Sequence, residues 1–342
     1  MQNLLIITQK VDKNDQLLGF FIDWITGFAQ KFEKVTILCL EKGEFDLPEN
    51  VRVLSLGKDR NLPKLFWLFN FFKHLFRYRK EYDAVFVHMN PIWMVLGGRL
   101  WRRWGKRTAL WYTSKGVTNK LRQAERWSEI IFTASRESFR IPSEKLVITG
   151  HGINTEFFKP PASRQRSREL KILSVGRIAP VKNYETLIAA AKILADRGLK
   201  FSVTLIGEPA LPEDIAYARK LEDKINRLGL DQYFKFLGKI NYAQLPEYYQ
   251  RHDLFVHLSK TGSLDKTLLE AMACSLPVLS SNDSAKSILP PELIFAENNP
   301  GELAEKIQAL QDRGYGQTLR AYVVENHNLG KLIDKISGFI NE

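Results

Sequence analysis

The sequence predicts an α/β protein built twice: two Rossmann-like domains, each a parallel sheet covered by helices, facing each other across a cleft. Three observations carry that expectation. The chain has 342 residues, too many for one ordinary core and well suited to two. Short β-branched or apolar runs alternate with longer amphipathic stretches from end to end, the pattern of strands joined by crossover helices. A polar, proline-containing stretch interrupts that alternation near the middle.

Taken in order, strands are expected at Leu4–Thr8, Val35–Leu40, Val51–Leu56, Ala84–His88, Thr108–Tyr112, Ile130–Ala134 and Leu146–Thr149. Each is a run of four to six mostly apolar residues, too short for a helix and bounded by polar or turn residues. Gln16–Phe32 reads as the first helix, with Asn14 or Asp15 as its N-cap. After Gly150-His151-Gly152 the run Pro160-Pro161-Ala162-Ser163-Arg164-Gln165-Arg166-Ser167 has no apolar period and reads as a linker. The second half repeats the pattern, with strands at Lys171–Val175, Ser202–Ile206, Tyr233–Leu237, Leu254–His257, Pro277–Ser280 and Leu293–Ala296. Helices are expected at Tyr184–Arg197, Pro212–Leu228 and Ala243–Arg251. Residues 1–150 are thus assigned to the first domain, 151–169 to the linker and 170–324 to the second, with a C-terminal helix over 325–342 packing back on the first.

Composition narrows the class. Hydrophobic residues at 44% and charged residues at 26% match a globular mixture and exclude a disordered chain. Cys39 and Cys274 each lie in an apolar run far apart in sequence, a pattern of neither disulfide framework nor metal site, and one that suits a reducing cytoplasm. The opening MQNLLIITQK enters a strand-like run without the basic and apolar regions of a signal peptide. No uninterrupted apolar stretch reaches the roughly 18–20 residues that cross a bilayer. The formal charge of +12 fits a phosphate-bearing substrate or an anionic membrane surface. Nucleic acid is not expected as a partner, because no recognisable binding motif accompanies the charge.

The chemistry concentrates in two segments of the second half. In Ser174-Val175-Gly176-Arg177-Ile178-Ala179-Pro180-Val181-Lys182-Asn183 a strand ends at Gly176 and two cations, Arg177 and Lys182, follow on the loop before a helix. Glycine lets a ligand approach the backbone, and the two cations either suit the oxygens of a diphosphate or are simply solvated on the loop. In Thr261-Gly262-Ser263-Leu264-Asp265-Lys266 a turn leads into a helix over Thr267–Ala273 that carries Glu270. Free N–H groups at such a helix start bind anions. Asp265 fits an N-cap role as well as a ligand role. Glu270 lies one turn in, where a carboxylate can accept from ribose hydroxyls.

These segments, together with Leu268-Leu269-Glu270-Ala271-Met272-Ala273-Cys274, Leu276-Pro277-Val278 and Gly152-Ile153-Asn154-Thr155-Glu156-Phe157, resemble the retaining GT-B glycosyltransferases of group 1. That family is related to sucrose-phosphate and glycogen synthases and to bacterial mannosyltransferases. The resemblance implies a hexose transfer from a UDP- or GDP-linked sugar to a saccharide or lipid-linked saccharide acceptor in cell-surface glycan synthesis. It implies that Arg177 and Lys182 bind the donor diphosphate, with Gly176 beside them. Gly262, Ser263, Leu264, Asp265 and Lys266 would touch phosphates and sugar, and Glu270 would hold the ribose. No cofactor beyond the nucleotide-diphosphate sugar and no metal are expected. Two departures stand out. The family's second glutamate, eight residues before Glu270, is Gly262 here, and its histidine after the strand Leu110-Trp111-Tyr112-Thr113 is Ser114. These leave open a nucleotide-sugar-binding protein impaired in transfer, or a transferase acting on a soluble acceptor.

The catalytic candidates are Arg177, Lys182 and Ser114; on the acceptor side the candidates are Asn14, Asp15 and Gly19 in the first strand-to-helix turn, and His88 at a strand end, where a structural role competes. Residues 61–80 and 99–107 interleave aromatic and basic side chains at helical spacing. They predict either a crossover helix packed on the sheet or a peripheral contact with an anionic membrane surface, which would place a cytoplasmic protein on the inner face of the cell membrane.

Overall fold

The structure, a computed structural model, describes residues 2–163, 168–260, 262–310 and 314–341. The chain divides into two compact units. The first comprises Met1–Asn154, Asn241–Ala243 and His327–Glu342, and the second Thr155–Ile240 and Gln244–Asn326. The passage from one to the other at Asn154–Thr155 falls within the stretch read as a linker, of which Arg164–Ser167 lie outside the described residues.

The first unit runs β1 (Asn3–Val11), α1 (Phe21–Ala29), β2 (Lys34–Lys42), β3 (Val51–Ser55), α2 (Lys64–Tyr78), β4 (Ala84–His88), α3 (Pro91–Arg103), β5 (Arg107–Trp111), α4 (Asn119–Trp127), β6 (Ile130–Thr133) and β7 (Leu146–Ile148). Its seven strands lie in the order β3-β2-β1-β4-β5-β6-β7, and every neighbouring pair is parallel. Alternate residues of β1 serve opposite faces, as the period of a strand requires. Leu4 and Ile6 join Trp24, Ile25 and Phe28 of α1, whereas Leu5 and Ile7 join Phe71 and Leu75 of α2 and Met94 and Trp101 of α3. Burial on both faces is why these strands read as unbroken apolar runs.

The second unit runs β8 (Leu170–Val175), α5 (Tyr184–Asp196), β9 (Phe201–Ile206), α6 (Pro212–Arg227), β10 (Phe234–Phe236), α7 (Leu245–Arg251), β11 (Leu254–His257), α8 (Lys266–Ala273), β12 (Val278–Ser280), α9 (Pro300–Ala309) and α10 (Gly316–Asn326). Its sheet has the order β10-β9-β8-β11-β12, again wholly parallel. The last helix, α11 (Leu329–Asn341), belongs to the first unit, where Leu332, Ile333, Ile336 and Ile340 complete the α1 side of the core. Two parallel, doubly wound Rossmann-like units make this a GT-B architecture. Each sheet also has a switch point, between β1 and β4 and between β8 and β11, where loops leave the carboxyl ends in opposite directions and open a crevice.

Four expectations need correction. The helix read as Gln16–Phe32 is only Phe21–Ala29, and its N-cap position is Phe20, not Asn14 or Asp15. The Asp15 carboxylate instead accepts from the amides of Leu17 and Leu18, both at 2.9 Å, closing a turn that the chain must leave before a helix can start. Leu293–Ala296 is not a strand. A 3-10 turn over Pro291–Leu293, opened by the fixed φ of Pro291, takes up the start of this run, and pairing with β12 is reduced to one isolated bridge, Ser280 to Ile294. The predicted helix Ala243–Arg251 opens as a 3-10 turn over Tyr242–Gln244, with α7 proper beginning at Leu245 before Pro246. The C-terminal helix drawn over 325–342 is broken at His327-Asn328, where Ile153 bridges Asn328 and the Asn328 side chain accepts from the Lys331 amide at 3.1 Å.

Candidate functional site

The switch point of the second unit collects most of the donor-side candidates. β8 ends at Val175, and Gly176 follows with its N–H on Ile206 O at 2.9 Å. Tyr184, the first residue of α5, donates its hydroxyl to Gly176 O at 3.1 Å. Gly207, just past β9, presses on the same peptide: a Cβ there would lie 2.0 Å from Gly176 O, and its φ is +138°. Both demand glycine. Gly207 was not picked out in the sequence, although a glycine closing a parallel strand was a usable signal.

Arg177 and Lys182 both lie on the loop after β8, and each meets a carboxylate from elsewhere in the fold. Arg177 Nε lies 3.6 Å from Asp214 Oδ2. The Asp214 side chain is buried and also accepts from the Leu211 amide at the start of α6, at 3.1 Å. Lys182 Nζ pairs with Asp265 Oδ2 at 2.5 Å and reaches Ser259 Oγ at 3.4 Å. His257, buried at the end of β11, places Nε2 3.0 Å from the same Asp265 oxygen and Nδ1 3.0 Å from Ser280 Oγ. Burial opposes ionisation of Asp265, but the Lys182 ammonium and the His257 hydrogen bond outweigh it and hold the carboxyl well below the usual carboxylate range. Asp265 does occupy the N-cap position of α8, yet its side chain caps no amide. The capping role read from the sequence gives way to a Lys182–Asp265–His257 chain. Asp214 and His257 carried no sequence signal beyond their residue types.

The loop before α8 is shaped by Gly262, at φ +63°, whose carbonyl accepts from Ser284 Oγ. Thr261 lies outside the described residues. A side chain at 262 would be strained in this left-handed conformation, so the glutamate expected there from the resemblance does not suit this loop as it stands. Ser263 is half-buried and Leu264 buried, and Lys266 opens the helix. Glu270, one turn further, is buried and accepts from Tyr249 OH at 3.1 Å. Burial pushes its carboxyl up, against the Lys266 ammonium and the Tyr249 hydroxyl.

In the first unit the acceptor-side candidates sit at the ends of β1, β4 and β5. Asn14 donates to Glu44 Oε2 at 3.1 Å, and Asp15 pairs with Lys10 at 2.8 Å. A Cβ on Gly19 would meet Asp15 O at 2.5 Å, which explains the lone glycine. His88 is buried, with Nδ1 3.1 Å from Thr8 Oγ1 and its ring stacked 4.1 Å from that of Phe21. That is the environment of a structural histidine. Ser114 accepts from the Gly116 amide at 3.3 Å, and its own N–H donates to Ser138 O at 2.9 Å.

The family described as "Glycosyl transferases group 1" matches residues 155–328, half of the chain. An amylovoran biosynthesis glycosyltransferase, AmsK of Erwinia amylovora, is 31% identical over 159 residues, 45% of this chain and 37% of that one. The chain spans less than half the length of the curated relatives it matches. Among solved structures, Anabaena HepE in complex with UDP superposes with a TM-score of 0.80 at 18% identity, covering 99% of both chains. Sucrose-phosphate synthase from Thermosynechococcus elongatus does so with 0.82 at 17% identity, over 100% of this chain and 98% of the other. The chain belongs to the group 1 glycosyl transferases.

Proposed function

We propose that this group 1 glycosyl transferase moves a hexose from a UDP- or GDP-linked donor to a saccharide or lipid-linked saccharide acceptor of a cell-surface glycan, with retention at the anomeric carbon. The observation that carries the reading is the convergence of Arg177, Lys182 and the start of α8 at one switch point. Two cations and the N-terminal end of a helix there answer the charge that grows on a departing diphosphate. The UDP-bound neighbour agrees with such a donor.

In this mechanism Asp214 and Asp265 hold the two cations in place before the donor arrives. Pre-positioned charges then stabilise the leaving group with little reorganisation. Glu270 receives the ribose hydroxyls. The leaving phosphate itself accepts the proton of the incoming hydroxyl, so no enzymatic nucleophile is required. Asn14, Asp15, Gly19, Ser114 and His88 belong to the acceptor side, with Ser114 orienting a sugar hydroxyl and His88 holding the end of β4 in place.

Thermal-shift titration with UDP, GDP, ADP and their hexose conjugates tests the donor step. Binding at about 100 times Kd raises stability by about 2.7 kcal/mol. Arg177→Ala and Lys182→Ala should each weaken binding about 10- to 100-fold, the worth of a charged hydrogen bond of about 1.5–3 kcal/mol; Lys182→Ala should also lower the unliganded melting temperature, because it takes the ammonium from the Asp265 carboxylate. A flat panel, or identical shifts in both variants and the parent, would remove the proposal. The anomeric configuration of the product, read by NMR, tests retention. Tight binding without transfer or donor hydrolysis would favour the impaired reading that Gly262 and Ser114 keep open.

A further inference from the structure

The outer face of α2 has no task in the donor chemistry. Its inner face is anchored: Phe71 and Leu75 are fully buried in the core of the first unit. That anchoring fixes which side chains point away. Leu65 is 79% exposed, Phe69 63%, Phe66 54% and Phe76 47%. Leu65, Phe69 and Phe76 fall on one stripe at helical spacing. Trp104, just past α3, extends it, its ring 5.3 Å from that of Phe76 and edge-on to it. A contiguous exposed aromatic patch of this kind marks an interaction surface in a folded protein.

The two segments that carry the patch hold cations only, and the next carboxylate along the chain, Glu81, is already paired with Lys34 and Arg52. Lys73, Arg77 and Lys80 follow each other at i, i+4 and i+7 along its flank, and Arg99, Arg102 and Arg103 lie beside Trp104; all six are exposed. No Asp or Glu occurs from Asn61 to Lys80 or from Pro91 to Arg107. We infer that the outer face of α2, continued by Trp104, docks on an anionic lipid bilayer. Aromatic and aliphatic tips enter the headgroup boundary while the flanking cations sit on anionic headgroups. A second copy of the chain fits poorly, because a two-fold pairing through this face would set each row of cations against its own image. No helix among the described residues is long and apolar enough to cross a membrane, so the contact is a peripheral one. The inference stands apart from the donor chemistry, which can hold or fail without it.

Vesicle co-sedimentation of the full chain tests it, comparing phosphatidylcholine alone with phosphatidylcholine containing phosphatidylglycerol. The expected result is binding to the anionic vesicles only, weakening as salt rises. Replacing Lys73, Arg77 and Lys80 together by alanine should cut partitioning about 100-fold, since each such cation contributes about a factor of five. Phe66→Ser with Phe69→Ser should also abolish binding while leaving the melting temperature and the nucleotide response intact. Absence of anionic-vesicle binding by the parent at low salt would overturn the inference, as would binding that survives both sets of substitutions. So would a dimer, seen by light scattering, that the phenylalanine replacements dissociate, because the face would then cover a second copy.

Discussion

Each unit carries a lysine–aspartate pair at its switch point, and the two pairs do different work. In the first unit Lys10 meets Asp12 at 3.2 Å and Asp15 at 2.8 Å, and in the second Lys182 meets Asp265; the side chains are about equally shielded. The first set is local. Its partners lie two and five residues along the chain, and Asp15 also closes the Leu17–Leu18 turn. The second pair joins residues 83 apart and is backed by His257 from β11 and, through it, Ser280 from β12. The local pair shapes one loop. The distant one ties together the segments that follow β8 and β11 and the end of β12.

The largest expected effect tests that contrast directly. Asp265→Ala leaves Lys182 and His257 without their shared carboxylate and should cost about 3–5 kcal/mol in urea unfolding, the penalty for breaking a largely buried pair. Asp15→Ala, which leaves Asp12 on Lys10, should cost only about 1 kcal/mol, the scale of a lost cap. Equal losses would erase the distinction.

Acid unfolding should separate the units next. Burial pushes the His327 imidazole of the first unit down from 6.5 to about 4. The folded form therefore refuses a proton that the unfolded chain takes up. Stability then falls as pH drops from about 6.5 to about 4 and levels off below, by about 3 kcal/mol in all. Asp265 works in a lower window. Its depressed pKa contributes stability that is present above the unfolded value of about 3.9 and is lost as pH falls further toward the folded one. His327→Gln should shrink the upper limb, to which the buried His252 of the second unit also contributes, and Asp265→Asn should shrink the lower limb. Any exchange of these outcomes contradicts the assignment.

A smaller effect sharpens the backbone side of the comparison. Gly207→Ala drives a methyl into the Gly176 carbonyl and should cost about 1–3 kcal/mol, with a weaker nucleotide response because Arg177 follows Gly176 directly. The smallest effect belongs to the first unit. Ser114→Ala removes only the hydrogen bond from the Gly116 amide, worth about 1 kcal/mol. It should lower the transfer rate while nucleotide titrations stay unchanged. A lost nucleotide response would move Ser114 to the donor side.

Local rules made much of this legible in advance. Strands buried on both faces announced themselves as apolar runs, and the glycine, the paired cations and the helix with Glu270 stood out as a phosphate-binding pattern. The same rules overran where the competing interactions were also local but subtler. Asp15 drew its hydrogen bonds into a turn and shortened α1, and a 3-10 turn from Pro291 took up the start of the run expected as a strand after β12.

The two-sheet architecture and most element positions can be read along the chain, because periodicity and turn chemistry act within a few residues. Only the tertiary structure decided that Arg177 rests on Asp214, that Lys182 shares Asp265 with His257, and that Gly207 must yield space to Gly176. Those contacts depend on which strands lie side by side. Strand order comes from burying both faces of each sheet at once, a condition no short stretch of chain contains.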